Sequence, residues 1–314
     1  MSIVTTIPRG WNASDIGDLT GKSFLITGGT SGIGKEAALE LARAGAHVTI
    51  TARDAAKGAA VVAEIAKERV DFKLLDLADL ASVKKFAKEF TKPVDVLILN
   101  AGVMATPFSL TKDGFELQMG TNHLGHFALA GLLREKVTQR VVAVSSQMHR
   151  AARISGITSD ELRNRARGIG AYNPWSAYAL SKLANLLFTL ELHRRSQHGQ
   201  LPGKKEIIAT AAHPGWASTN LQAVAPQMKN QPLVERGTGV VNKVFAQSAK
   251  QGALPILCAA TFPEIPGGSY LGPDGFLEMR GYPKFTRASG AAYDQNLAAK
   301  LWEISCDLTG VQWS

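Results

Sequence analysis

The stretch Ser23-Phe24-Leu25-Ile26-Thr27-Gly28-Gly29-Thr30-Ser31-Gly32-Ile33-Gly34 decides the fold. An apolar, strand-like run ends in a turn carrying glycines at 28, 32 and 34, and a helical pattern starts at once. Residues 35–44 place Ala38, Leu41 and Ala42 at helical spacing and stop at Gly45, a natural residue just past a helix C-terminus. A second apolar run at 47–51 completes a β-α-β unit. Glycines in such a turn let backbone amides approach a pyrophosphate, and the helix N-terminus adds partial positive charge and unpaired N–H donors. Gly28, Thr30, Ser31, Gly32, Ile33 and Gly34 are therefore expected to line a dinucleotide. Gly21-Lys22-Ser23 resembles the end of an ATP-binding loop, but it precedes the strand, and Ile16 stands where that motif needs its first glycine.

The rhythm continues outward. Further short apolar runs at 72–75, 94–99, 140–144 and 207–211 alternate with helical patterns at 80–90, 114–133, 174–198 and 248–261. Runs such as Val94-Asp95-Val96-Leu97-Ile98-Leu99 are apolar at nearly every position, as expected of parallel strands covered on both faces by helices. The fold class is α/β, a doubly wound parallel sheet of Rossmann type. No Pro/Gly/Ser-rich or charge-dense stretch divides the 314 residues, so one domain is expected over 1–314.

Composition removes several function classes. Hydrophobic residues make up 45% and charged residues 19%, the balance of a globular protein with a substantial core. Residues 1–19 contain no apolar leader core, and no run of about 18 uncharged apolar residues occurs, so no membrane span is expected and the cytoplasm is the expected compartment. Two cysteines, Cys258 and Cys306, make neither a disulfide framework nor a metal knuckle, and the seven histidines form no zinc motif, so no metal is expected. The net charge of +9 is spread along the chain, with only Arg163, Arg165 and Arg167 locally dense, so no nucleic-acid partner is expected. An anionic cofactor accounts for part of the excess.

Two further patterns carry chemistry. The end of the second strand selects the nucleotide: an acidic side chain there bonds a ribose 2′-hydroxyl, and an arginine accommodates a 2′-phosphate. The chain reads Thr51-Ala52-Arg53-Asp54, with Arg53 at 19 residues past Gly34. NADP(H) is the expected cofactor, with NAD(H) left open through Asp54 if the strand runs one residue longer. Tyr178 and Lys182, four residues apart on one helix face, hold a phenol beside an ammonium. A free tyrosine titrates near about 10, and a neighbouring positive charge is expected to lower that value, leaving a group able to trade protons with an alcohol or carbonyl.

On these residues the chain resembles the short-chain dehydrogenase/reductase superfamily. The resemblance spans about residues 19–271 and rests on ordered signals: Thr27-Gly28-x-x-x-Gly32-x-Gly34, Asn100-Ala101-Gly102, Asn122, Ser145-Ser146, Tyr178-x-x-x-Lys182 and Pro214-Gly215. It implies about seven parallel strands, a short one lying near 268–271. It also implies that Asp76 and Leu77 border the adenine, that Asn100, Ala101 and Gly102 back the cofactor, and that Pro214, Gly215, Trp216 and Thr219 hold the nicotinamide end. Tyr178 then resembles the proton donor or acceptor, and Lys182 its partner, which also bonds the nicotinamide ribose. Ser146 would orient the substrate oxygen, and Asn122 would tie a water to Lys182. Side chains alternate along a strand end, so Ser145 is expected to face away when Ser146 faces the site. His123 and His126 are expected to pack within their helix.

Ser146 and Tyr178 are 32 residues apart, a wider gap than in the simplest members of the family. With the run Asn122-His123-Leu124-Gly125-His126-Phe127, Arg53-Asp54 and the tail Leu301-Trp302-x-x-Ser305, this resembles the retinol-dehydrogenase-like branch and its bacterial oxidoreductase relatives. The chain then divides into an N-terminal extension (1–19), an insertion (147–177), a substrate-lid region (217–250) and a C-terminal extension (272–314). Met148, Ile154, Ile157, Tyr172, Trp175, Trp216, Leu221 and Met228 flank the expected opening, which suits a small apolar carbonyl or alcohol, or else pack a lid or subunit contact. The expected activity is NADP(H)-dependent hydride transfer to or from such a substrate. NAD-linked alcohol oxidation and a non-catalytic dinucleotide-sensing scaffold are the alternatives. A homodimer or homotetramer is compatible with the resemblance.

Overall fold

The computed structural model describes residues 6–65, 69–154, 156–201, 206–216 and 247–313. Strand β1 (Ser23–Ile26) leads into helix α1 (Gly32–Arg43), β2 (His47–Ala52), α2 (Ala55–Ile65), β3 (Val70–Leu74), α3 (Leu80–Glu89) and β4 (Val94–Leu99). A helical turn, Leu117–Met119, and a π-helical turn, Gly120–Leu124, enter α4 (Gly125–Leu133). Then come β5 (Val137–Val144), α5 (Ser159–Ala166), α6 (Pro174–Gln197), β6 (Ile208–Ala212), α7 (Ala249–Thr261), β7 (Tyr270–Pro273), β8 (Pro283–Phe285) and α8 (Gln295–Thr309).

The eight strands form one sheet in the order β3-β2-β1-β4-β5-β6-β7-β8. Seven are parallel, as expected, and the eighth pairs antiparallel with β7. β3 starts two residues before the expected run, because Val70 is buried and pairs with Val48. The helix expected over 114–133 begins only at Leu117 and contains the π-turn, which a purely α-helical spacing does not register.

Alternation explains why β1 is apolar throughout. Phe24 and Ile26 join Ala38, Leu41, Val48, Ile50, Leu254 and Leu257 in the core on one face of the sheet. Leu25 points the other way, to Val83, Phe86, Leu97, Leu99 and Phe127. Helix α6 is buried over most of its length, and each leucine it hides, such as Leu183, Leu187 and Leu192, is worth about 1.5–3 kcal/mol. Its start is set by Asn173, whose side chain accepts the N–H of Ser176, with Pro174 in the first turn.

Both extensions are built into the core. Trp11 is buried against the α1 face, Trp302 packs edge-on to Phe127 and stacks on Phe188, and Trp313 packs edge-on to Phe188. No described helix is long and apolar enough to cross a membrane.

Candidate active site

The site lies at the carboxyl edge of the sheet, where β1 neighbours both β2 and β4 and the chain crosses from one face to the other. Gly28 has φ +70, and a side chain there would also come within 2.9 Å of Ala101. At Gly34 a side chain would collide with Asn100 Nδ2 and the Gly28 carbonyl. The N-terminal residue of α1, Gly32, follows an extended Ser31 whose side chain makes no cap, so the first amides of the helix face the turn without an internal acceptor. Gly28, Thr30, Ser31, Gly32, Ile33 and Gly34 thus form a concave, donor-rich turn that fits a pyrophosphate.

Thr27 ties this turn to the end of β4. Its Oγ1 accepts the N–H groups of Asn100 (2.9 Å) and Ala101 (3.0 Å), and Asn100 Nδ2 donates to the Thr27 carbonyl (2.8 Å). The segment Asn100-Ala101-Gly102 is thereby held beside Gly28. Arg53 is exposed immediately beyond β2, while the Asp54 carboxylate accepts the N–H of Lys57 at 3.1 Å at the start of α2. Asp76 Oδ1 accepts the N–H of Ala78 (3.0 Å), and the buried Leu77 presses its carbonyl toward Gly125, where a side chain would collide with it.

The four expected catalytic side chains converge from the π-turn, β5 and α6. Tyr178 and Lys182 are buried, and Ser146 stands close enough to the phenol of Tyr178 to pull its pKa down. Ser145 turns the other way and donates to the Lys182 carbonyl at 2.8 Å, the division of labour that strand alternation requires. Lys182 Nζ donates to the Val144 carbonyl (3.1 Å) and lies 5.8 Å from the Tyr178 ring centroid. Asn122 accepts the Val103 N–H on Oδ1 (2.8 Å) and donates through Nδ2 to the Val103 carbonyl and Ser181 Oγ (both 2.9 Å). Gly102 sits between Asn122 and Lys182, since a side-chain carbon there would stand 3.0 Å from Asn122 Oδ1 and 3.5 Å from Lys182 Nζ.

The electrostatics differ from the expected lowering of the phenol. Burial pushes Tyr178 up to about 12, against a smaller downward pull from Ser146. Burial also brings Lys182 down to about 8. Desolvation penalises both charged forms, and the ammonium is engaged by a carbonyl on the β5 side instead of by the phenol.

Pro214, Gly215 and Trp216, expected to hold the nicotinamide, follow β6. Gly215 has φ +67, and the Trp216 N–H donates to the Met279 carbonyl at 2.7 Å. Thr219, Leu221 and Met228 lie outside the described residues. Of the apolar side chains expected around the opening, Ile154 and Ile157 pack into the core, and Tyr172 donates to the Thr106 carbonyl at 2.9 Å. Trp175 is half exposed with its ring 6.5 Å from that of Tyr178, and Met148 and Trp216 are partly exposed.

Three residues join the site that the sequence reading passed over. His213 Nδ1 accepts the Gly215 N–H (3.2 Å), so Nε2 carries the proton and donates to Glu278 Oε2 (3.0 Å). Gln147, next to Ser146, donates to the same carboxylate. A polar residue at the end of an apolar strand was a signal for His213; Glu278, in the C-terminal extension, had none.

The comparisons agree with this geometry. A family profile described as short chain dehydrogenase matches residues 22–159. Retinol dehydrogenase 11 of Homo sapiens is 38% identical over 93% of this chain and 87% of its own length. Retinol dehydrogenase 12 of Mus musculus is 37% identical over 94% and 88%. A crystal structure of a Mycobacterium paratuberculosis protein superposes with a TM-score of 0.80 at 41% identity, covering 97% of this chain and 99% of that one. The chain therefore belongs to the short-chain dehydrogenase/reductase family, as a retinol-dehydrogenase-like member, and is an NAD(P)-dependent oxidoreductase acting on alcohol or carbonyl groups.

Proposed function

We propose that the protein is an NADP(H)-dependent reductase or dehydrogenase of a small apolar carbonyl or alcohol, with Tyr178 as the acid and base. The observation that carries this reading is the buried Tyr178–Lys182 pair, with Lys182 Nζ 5.8 Å from the Tyr178 ring centroid, at the edge of the sheet that holds the glycine turn. A bound nicotinamide supplies or takes up the hydride. A phenol held near 12 keeps its proton at neutral pH, which suits donation to the alkoxide that develops as a carbonyl is reduced. Ser146 and Tyr178 together stabilise that oxygen. Lys182, near 8, is poised to return a proton toward Tyr178, and Asn122 Oδ1 lies across Gly102 from it, where a bridging water would join the two. In oxidation the same groups run in reverse.

The preference for NADP(H) rests on the division between Arg53 and Asp54. Asp54 is occupied as the cap of α2, which leaves the exposed Arg53 to meet a 2′-phosphate. The half-exposed Trp175 beside Tyr178, with Met148 and Trp216, supports an apolar substrate. Fluorescence titration with NADPH and NADH, followed by a panel of apolar aldehydes and ketones, tests the reading. Arg53→Ala is expected to weaken NADPH by roughly tenfold or more, the worth of a charge-assisted hydrogen bond, and NADH little. Equal losses for both would remove the case for NADP(H), and no turnover across the panel would count against the apolar carbonyl.

A further inference from the structure

His126 occupies the first turn of α4 and is buried, yet both of its ring nitrogens are spoken for. Nδ1 lies 3.0 Å from the carbonyl of Asn122, and Nε2 lies 2.8 Å from Thr27 Oγ1. A carbonyl can only accept, so Nδ1 carries the proton. Thr27 Oγ1 already accepts the amides of Asn100 and Ala101, so its own proton goes to Nε2 at 2.8 Å in preference to the Ile98 carbonyl at 3.4 Å. The ring is a one-way bridge in a fixed tautomer. Burial, the largest influence, pushes its pKa down to about 4, so the ring stays neutral at neutral pH.

The two ends of this bridge are the parts the chemistry has to keep in register. One is the π-turn residue whose side chain faces Lys182 across Gly102. The other is the last residue before the glycine turn, whose hydroxyl also holds Asn100 and Ala101. Packing alone does not account for a histidine here, because an aromatic hydrocarbon would fill the space without desolvating two ring nitrogens. His123, one turn earlier, provides the contrast: its Nε2 meets Ser305 Oγ at 2.8 Å, and its ring faces Phe127 and Phe188, far from the glycine turn in the chain's connectivity.

We propose that His126 is a positioning residue, a neutral imidazole strut that sets Asn122, and through it the Lys182 side of the site, against the cofactor turn. This rests on the reading of Asn122 and Lys182 given above. The strut acts on the geometry of the reacting complex more than on substrate affinity. His126→Phe keeps the ring and removes both bonds; His126→Gln restores a donor toward Asn122 and an acceptor toward Thr27; His123→Phe is the packing control.

The test combines steady-state kinetics and thermal melts of these variants with ¹⁵N NMR of the histidine rings in the wild-type protein. His126→Phe is expected to lower kcat roughly 10- to 100-fold, the usual scale for a small misplacement of reacting groups, with substrate KM nearly unchanged. His126→Gln should recover most of that loss, and His123→Phe should lower Tm with kcat preserved. The wild-type His126 ring should titrate as an Nδ1–H tautomer. Folded His126→Phe with wild-type kcat, or a kcat loss matched by His123→Phe, would overturn the strut. If His126→Phe does not fold, a His126→Gln variant with no better kcat than His126→Ala would do the same, as would an Nε2–H tautomer. The tautomer is read without turnover, so an inactive wild-type protein would refute the proposed substrate reading and leave this inference to be judged by the spectrum.

Discussion

Tyr178 keeps its proton because burial outweighs every other influence on it, so with Tyr178 as the proposed acid, turnover would depend on how that proton is replaced. Lys182 and Asn122 face each other across Gly102, a residue whose backbone any side chain tolerates. Gly102→Ala puts a methyl group 3.0 Å from Asn122 Oδ1 and 3.5 Å from Lys182 Nζ, in the space between the two groups. The substitution is expected to lower kcat by on the order of tenfold while changing stability by no more than about 1 kcal/mol. Steady-state kinetics beside a thermal melt checks this, and unchanged turnover would mean that Asn122 and Lys182 do not act together across that point.

At the scale of elements, the segment between β7 and β8 acts as a clasp. Leu277 and Glu278 adopt left-handed backbone, φ 49 and 55, a conformation that costs on the order of 1 kcal/mol or more for each such residue. The carboxylate so placed accepts from Gln147, His213 and Thr286, joining the turn after β5 to the turn after β6. Burial raises the Glu278 pKa, but the hydrogen bonds from His213 and Thr286, with the charges of His213 and Lys284, together outweigh it and hold it down to about 2. A depressed carboxyl contributes stability that is present above its ordinary value of 4.5 and is lost as pH falls through about 2. Glu278→Gln offers one acceptor where the three donors meet two oxygens, so its Tm should lie several degrees below wild type at neutral pH. The gap should narrow as pH falls from 4.5 toward 2, which a melt series measures; a gap independent of pH would deny the charge its part.

The elements also show where sequence stops being informative. β1 and β4 were legible because strands covered on both faces must be apolar at successive positions, and the glycines after β1 because backbone crowding at Gly28 and Gly34 admits nothing larger. That Ser145 and Ser146 would face opposite ways followed from alternation, while the choice of Ser146 for the site came from the family resemblance. The π-turn at Asn122 was hidden because one extra residue in a helical turn barely disturbs an apolar pattern. β8 was hidden because Pro283-Lys284-Phe285 is too short to have a period. Glu278 and the bridge through His126 were out of reach for a different reason: their partners lie 65 and 99 residues away, and only the closed sheet brings them together.

The whole molecule resolves into a sheet whose crossing point holds a donor-rich glycine turn, with Asn122, Ser146, Tyr178 and Lys182 arriving from separate strands and helices at the same edge. Extensions at both ends are packed into the core by Trp11, Trp302 and Trp313, on opposite faces of the sheet. On the proposed mechanism, that arrangement would separate nucleotide binding at the turn after β1 from proton transfer on α6. The most direct measurement is Tyr178→Phe, assayed both for NADPH binding by fluorescence titration and for carbonyl reduction by loss of nicotinamide absorbance. The account predicts near wild-type binding with kcat reduced by on the order of 10²–10⁴; turnover at the wild-type rate would contradict it, because the proton would then come from another group.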